Sequence, residues 1–239
     1  MKRLKIADLQ VDIDVKSERL LKQCEPYEDL SKRNIPADIT VKVSEKAIRR
    51  SLERYPSFDE ETAEYIRAGG MFYTGLISFD GIMLHASGVV KDGYAYLFSA
   101  DSGTGKSTHT DLWCKFIDGA YIINDDKPAI RIVDDEIFVY GTPFSGKEDL
   151  SANKKVKLGA ICFLYRSEEN KIRRISAAEA IVPVLRQTIH SLSEEKLEKL
   201  MELLDKILSV VPVYEMGCNI SEEAALLSYN TMKRTPDNA

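Results

Sequence analysis

Apolar and polar positions alternate over the first part of the chain. Leu9-Gln10-Val11-Asp12-Ile13-Asp14-Val15 and Asp38-Ile39-Thr40-Val41-Lys42-Val43 have the two-residue period of half-buried strands. The first third is therefore predicted to be rich in β-structure. Ser44 can cap a short helix that reaches Arg54, with Ile48 and Leu52 on one side. Around Tyr65 to Ser78 neither period dominates. From Ile82 the pattern sharpens. Ile82 to Val90 reads as a strand, Lys91-Asp92-Gly93 as a hairpin turn, and Tyr94 to Ser99 as the returning strand. A helix follows from about Lys106 to Phe116, then strands at Ala120–Asn124, Ala129–Val133 and Ile137–Tyr140, with Asp134-Asp135 turning between the last two. Leu158 to Tyr165 is a continuous apolar run, as expected of a buried strand.

The period then becomes helical. Ala177 to His190 and Ser193 to Val211 both have helical spacing, and in the second Leu197, Leu200, Leu204, Ile207 and Leu208 share a face. Pro212 closes that helix, Val213 to Met216 is a short strand, and Ser221 starts a last helix ending near Lys233. Thr235 to Ala239 is expected to fray. There is no internal repeat or low-complexity segment, and the chain reads as one large α/β domain or two intimate lobes. It has a β-rich N-terminal part (1–78), a central core (79–176) and a helical C-terminal part (177–239).

Composition narrows the functional classes. The chain has 239 residues, 44% hydrophobic and 30% charged, enough apolar material for a sizeable core. Its 33 basic and 38 acidic residues are scattered and give a net charge of -5, which does not suit nucleic-acid binding. Cys24, Cys114, Cys162 and Cys218 form no CxxC pair, so neither a zinc site nor a disulfide framework is expected. An acidic residue interrupts the N-terminus before any signal-length apolar run, and no stretch approaches the ~20 apolar residues that span a bilayer. A soluble cytoplasmic protein, without nucleic acid or membrane as partner, is the expectation.

The chemistry concentrates after the returning strand. Ala100-Asp101-Ser102-Gly103-Thr104-Gly105-Lys106-Ser107-Thr108 fits the phosphate-binding pattern GxxxxGK[ST], except that Ala100 stands in place of the first glycine. Gly103 and Gly105 let backbone N–H groups turn toward phosphate oxygens, and the helix opening at Lys106 points its positive end at the same place. Lys106 would meet the β- and γ-phosphates of ATP, and the Ser107 hydroxyl would join the Mg²⁺ shell. A glycine-rich connection without a ligand is the plain alternative. The strand before the loop and the helix after it make phosphate binding the stronger reading.

Tyr121-Ile122-Ile123-Asn124-Asp125-Asp126 places two carboxylates at the end of an apolar strand, where one can hold Mg²⁺ and the other accept a proton from an attacking hydroxyl. Taken without the loop, the same residues would be an ordinary polar exit from a strand. His85, on the strand before the phosphate loop, is a candidate catalyst, although a lone histidine among apolar neighbours is more often a satisfied core residue. His109 and His190 have weaker claims. Gly141-Thr142-Pro143-Phe144-Ser145-Gly146-Lys147 reads as an ordered loop, and Lys147 could bring positive charge to a phosphoryl group in transfer.

Three motifs in order, His85, then Ser102-Gly103-Thr104-Gly105-Lys106-Ser107, then Asp125-Asp126, resemble the catalytic domain of HPr kinase/phosphorylase and, more distantly, phosphoenolpyruvate carboxykinase. Lys106 to Trp113, Asn124 to Pro128 and Gly141 to Lys147 look like HPr-kinase-like proteins of bacterial genomes, some encoded beside peptide-modification genes. The resemblance spans Leu84 to Lys147. It implies a carboxykinase-type phosphate-loop fold with a mixed sheet, and aspartates that divide metal binding from proton acceptance. The glycine- and arginine-bearing segment that follows the aspartates in HPr kinase is missing, as are the manganese lysine and histidine of the carboxykinases, so neither HPr nor oxaloacetate is the implied substrate.

The sequence thus points to an ATP- and Mg²⁺-dependent kinase that phosphorylates a hydroxyl on a peptide, protein or small molecule, with phosphorylase activity as its possible reverse. A nucleotide-binding sensor without phosphoryl transfer is the alternative. The acceptor, the base preference and the oligomeric state are not encoded in these motifs.

Overall fold

A computed structural model describes residues 1–29, 31, 35–188 and 192–234; the expectations placed on His190 and on residues 235–239 lie outside the described residues. The chain begins with a small sheet. β1 (Lys2–Ile6) and β2 (Leu9–Asp14) form a hairpin, and β3 (Ile39–Lys42) lies parallel to β2. The helices α1 (Glu18–Cys24), α2 (Glu45–Arg54) and α3 (Glu60–Leu76) belong to the same region.

The first third is therefore mixed, not β-rich, and α3 is the part that sequence periodicity did not resolve. Its buried positions include Ala63, Tyr65, Ala68, Phe72, Tyr73 and Leu76, a face too broad for a clean helical stripe, and three glycines dilute it. Glu64, on the same helix, is buried because it accepts the backbone N–H groups of Lys16 at 2.9 Å and Ser17 at 2.6 Å. Ser17, Ser44 and Asp59 cap α1, α2 and α3 with their side-chain oxygens.

A larger mixed sheet follows. Its strands are β4 (Gly81–Met83), β5 (Ala86–Lys91), β6 (Tyr94–Ser99), β7 (Tyr121–Asn124), β8 (Ala129–Val133), β9 (Glu136–Tyr140), β10 (Lys155–Arg166), β11 (Lys171–Ile175) and β12 (Val213–Cys218). The order is β4-β8-β9-β10-β6-β5-β7, with β12 paired to both β10 and β11. The strand expected over Ile82 to Val90 is broken at Leu84-His85, because β4 pairs with β8 while β5 pairs with β6 and β7. β10 is longer than its apolar run. Its 12 residues pair with β9, β6 and β12 in turn, and the sheet curls around it. β11 carries three charges and one buried residue, the profile of an edge strand with little hydrophobic signal.

Helices cover both faces. α5 (Ala177–Arg186) and α6 (Glu194–Val210) place Ala180, Val184, Leu200, Leu204 and Ile207 on one side, against Leu97, Ile123 and Val139. Leu197, expected on the buried face of α6, is exposed instead, and Leu203 takes the inward position. On the other face α4 (Lys106–Phe116) and α7 (Glu222–Met232) seat Trp113, Ala224 and Ala225 against Tyr96, Phe98 and Met216. A third cluster joins the small sheet and α3 to Ala129, Tyr140 and Phe144. Among the described residues all four cysteines are free, and no helix is long and apolar enough to cross a membrane.

Candidate functional site

Strand direction brings the three motifs together. β6 and β7 both run antiparallel to β5, so their C-terminal ends lie at the same sheet edge as the start of β5. Ala86 pairs with Ser99 and Gly88 with Asn124, which sets the phosphate loop after β6, the acid pair after β7 and His85 before β5 side by side. The Ser99 hydroxyl donates to the His85 carbonyl at 2.8 Å, and the Ala86 N–H donates to the Asp126 carbonyl at 3.0 Å.

The loop itself has φ of +78° at Gly103 and +119° at Gly105, a left-handed backbone that glycine adopts without strain. Thr104 N–H turns back to the Asp101 carbonyl at 3.2 Å, and Lys106 opens α4. Asp101, Ser102, Gly103, Ser107 and Thr108 are exposed, and Thr104, Gly105 and Lys106 are half-buried. Lys106 Nζ donates to the Ala100 carbonyl at 3.0 Å. Burial lowers its pKa, against the opposing pull of Asp126 and Asp101. Arg166, at the end of β10, donates to the Gly103 carbonyl at 2.6 Å and fixes the loop from outside the motif.

The two aspartates have different surroundings. Asp125 is buried, and its Oδ1 accepts the Gly146 N–H at 2.5 Å. A Cβ on Gly146 would lie 2.9 Å from Asp125 Oδ2, so a larger residue would displace the carboxylate. Burial raises the pKa of Asp125 against that donor. Asp126 lies near enough to Lys106 to act on its charge. Its Oδ1 is 3.0 Å from His85 Nε2, and Lys127 Nζ donates to its Oδ2. Burial alone would push the Asp126 carboxyl up; His85 and Lys127 outweigh it and hold the group at about 2. Asn124 shapes the turn, its Oδ1 accepting the N–H groups of Asp126 at 3.0 Å and Lys127 at 2.6 Å. His85 Nδ1 in turn meets Gln187 Oε1 at 3.1 Å.

The expected loop over Gly141 to Lys147 is ordered by its neighbours. Phe144 stacks on Phe72, Tyr65 donates to the Ser145 carbonyl at 2.7 Å, and Arg19 donates to the Gly146 carbonyl at 2.8 Å. Lys147 follows as an exposed residue next to the Asp125 contact. His109 lies apart from this group. It is buried under α7 with Nε2 3.0 Å from Ser228 Oγ, so it is a core residue of α4.

Lys127, Arg166 and Gln187 were not singled out by the sequence. Lys127 adjoins the acid pair and was legible as a third charge of the same turn, whereas Arg166 and Gln187 reach the site from distant strands and helices without any local pattern.

Two cavities flank the site. One, of about 870 Å³, lies behind the phosphate loop, lined by Gly105, Thr108, Leu112, Arg166, Asn219 and Ile220 among others. The second, of about 1010 Å³, opens between α2, α3 and β3, and Lys127 lies in its wall. Among the described residues no three His, Cys, Asp or Glu side chains gather as an all-protein metal cage. The hard oxygen donors present, an exposed Ser107 hydroxyl and the anionic Asp126, suit Mg²⁺, which takes few protein ligands and completes its shell with water and phosphate.

One solved structure, that of the Hpr(Ser) kinase/phosphatase from Coxiella burnetii, is similar to this chain at 12% identity and a TM-score of 0.37, covering 62% of this chain and 93% of that one. No family model and no curated protein matches.

Proposed function

We propose that the protein is a kinase that moves the γ-phosphoryl group of ATP to a hydroxyl, on a phosphate-loop fold of the carboxykinase type. The observation that carries this reading is the meeting of the phosphate loop, Asp126 and His85 at one sheet edge, close enough for Asp126 and Lys127 both to act on the charge of Lys106.

In this reading the N–H groups from Gly103 to Ser107 and the Lys106 ammonium hold the phosphates. The Ser107 hydroxyl and Asp126 would hold Mg²⁺, which supplies charge neutralisation at the phosphates when bound. The acceptor oxygen forms its bond to the γ-phosphorus while the bond to the bridging oxygen breaks and ADP leaves. The hydroxyl proton goes to the Asp126–His85 pair, whose facing atoms lie 3.0 Å apart. Asp125 holds the Gly146 turn, and Lys147, the next residue, would bring its charge to the phosphoryl group. The base and ribose occupy the cavity behind the loop, between Arg166 and Ile220.

A second reading, a nucleotide sensor without transfer, is favoured by one feature: Lys106 donates to Ala100, and both Asp126 oxygens are already engaged. Mass spectrometry after incubation with Mg-ATP and a panel of hydroxyl acceptors separates the two. A gain of one phosphate on an acceptor, lost in Lys106→Ala, supports the kinase. Tight Mg-ATP binding with no transfer and no hydrolysis supports the sensor.

A further inference from the structure

We infer that the acceptor hydroxyl is presented on a peptide segment with bulky apolar side chains, seated in the cavity between α2, α3 and β3. The inference rests on the kinase reading for its chemistry and on the cavity alone for its binding.

Size and lining come first. At about 1010 Å³ the cavity lies at the upper end of ligand pockets, and a small polar acceptor would leave most of it empty. Tyr55, Ile66 and Met71 line it with exposures of 43%, 48% and 39%, so apolar surface that folding left uncovered is gathered in one place. Arg54, Arg67 and Lys127 in the same wall outnumber Asp38, which disfavours a basic segment.

Gly70 shows that the space is kept open. Glycine inside a helix costs about 1 kcal/mol relative to alanine. For two of the α3 glycines packing gives a reason, since a Cβ on Gly69 would lie 3.3 Å from Phe144 and one on Gly75 would lie 3.0 Å from Ile39. Gly70 has no such neighbour: a Cβ there meets nothing within 4 Å, and the residue lines the cavity. What a side chain at Gly70 would take up is cavity volume.

The inner end and one wall fix the occupant. Lys127, whose Nζ is 5.5 Å from the Tyr65 ring centre and bonded to Asp126, joins the cavity to the transfer site. A hydroxyl at that end lies beside Lys127, which is itself hydrogen-bonded to Asp126. Asp38, Ile39 and Thr40 form another wall, and among the described residues β3 pairs with β2 alone. An unpaired strand edge offers main-chain partners to an extended peptide, which a compact small molecule cannot use.

The test uses the full chain with two sets of serine-centred hexapeptides, one flanked by leucine and phenylalanine and one by glycine and asparagine. Binding is read by calorimetry with and without Mg-ADP, and transfer by mass spectrometry with Mg-ATP. The apolar set is expected to bind and the polar set not. Gly70→Leu and the surface change Ile66→Lys should each weaken binding about tenfold or more, with Mg-ATP affinity unchanged. Equal binding by both sets, unaltered affinity in both variants, or transfer to free serine without binding of any apolar peptide would overturn the inference. An apolar peptide that binds in the Gly70-sensitive way yet never gains phosphate overturns the kinase reading and leaves the cavity as a peptide site.

Discussion

His85 Nε2 lies 3.0 Å from Asp126 Oδ1, across a break between two strands that the chain uses to turn its sheet. The contact ties the start of β5 to the end of β7 and leaves the carboxylate ionised at neutral pH. Asp126→Asn keeps the shape of the turn and removes the charge. Transfer should fall roughly 10²- to 10⁴-fold, the scale of a lost proton acceptor. Titration calorimetry should find ATP still held by the loop, with the gain in affinity from Mg²⁺ reduced, because Asp126 is also the proposed metal ligand. Turnover equal to wild type would remove Asp126 from the mechanism.

Arg166 reaches the phosphate loop through the Gly103 carbonyl. Arg166→Ala loses one charged hydrogen bond, worth about 1 to 2 kcal/mol, so nucleotide affinity should drop about tenfold. Lys106→Ala should abolish phosphate binding altogether. Unchanged ATP affinity in Arg166→Ala would mean that the loop is held without it.

His109 gives the protein an acid limit. Burial pushes its pKa down to about 4. Ser228 Oγ donates to the Ala224 and Ala225 carbonyls, so it accepts from His109 Nε2–H, and Nδ1 has no partner among the described residues. A histidine with a depressed folded pKa contributes stability that is full above its unfolded value of about 6.5 and is lost as pH falls toward about 4. The loss should reach about 3 kcal/mol. Urea titrations of the metal-free protein between those limits measure it, and His109→Gln should flatten the slope. A slope unaltered by the substitution would place the acid sensitivity elsewhere.

Gly70→Ala should raise stability by up to about 1 kcal/mol, because the helix gains propensity and the new methyl meets open space. Calorimetric melting is expected to move up by roughly 2 to 4 °C. A lower melting temperature would show that the site is more crowded than its geometry indicates.

Local patterns made the centre of the molecule legible. The loop from Ala100 to Thr108, the acids at 125 and 126 and the hairpin around Asp92-Gly93 each announce themselves within ten residues, and the structure gathers the first two at one edge. Other parts depend on partners far along the chain. α3 was hidden because its buried face is broad and its glycines are set by Phe144 and Ile39, or by a cavity. β11 was hidden because an edge strand needs little apolar content. The bond from Gln187 to His85 spans 102 residues, and no period in either segment foretells it. The unequal roles of Asp125 and Asp126 likewise follow from Gly146 and Lys127, which decide what each carboxylate faces.

The grip on the Phe144–Gly146 turn bears on how far the protein can be cut down. Every recognisable motif lies after residue 79, and a fragment starting there would look complete on paper. Yet Arg19, Gln23 and Tyr65 hold Ser145 and Gly146 from the other side of that boundary, and Gly146 holds Asp125. A core trimmed to start there would keep its letters and lose the α1 and α3 side chains that order them.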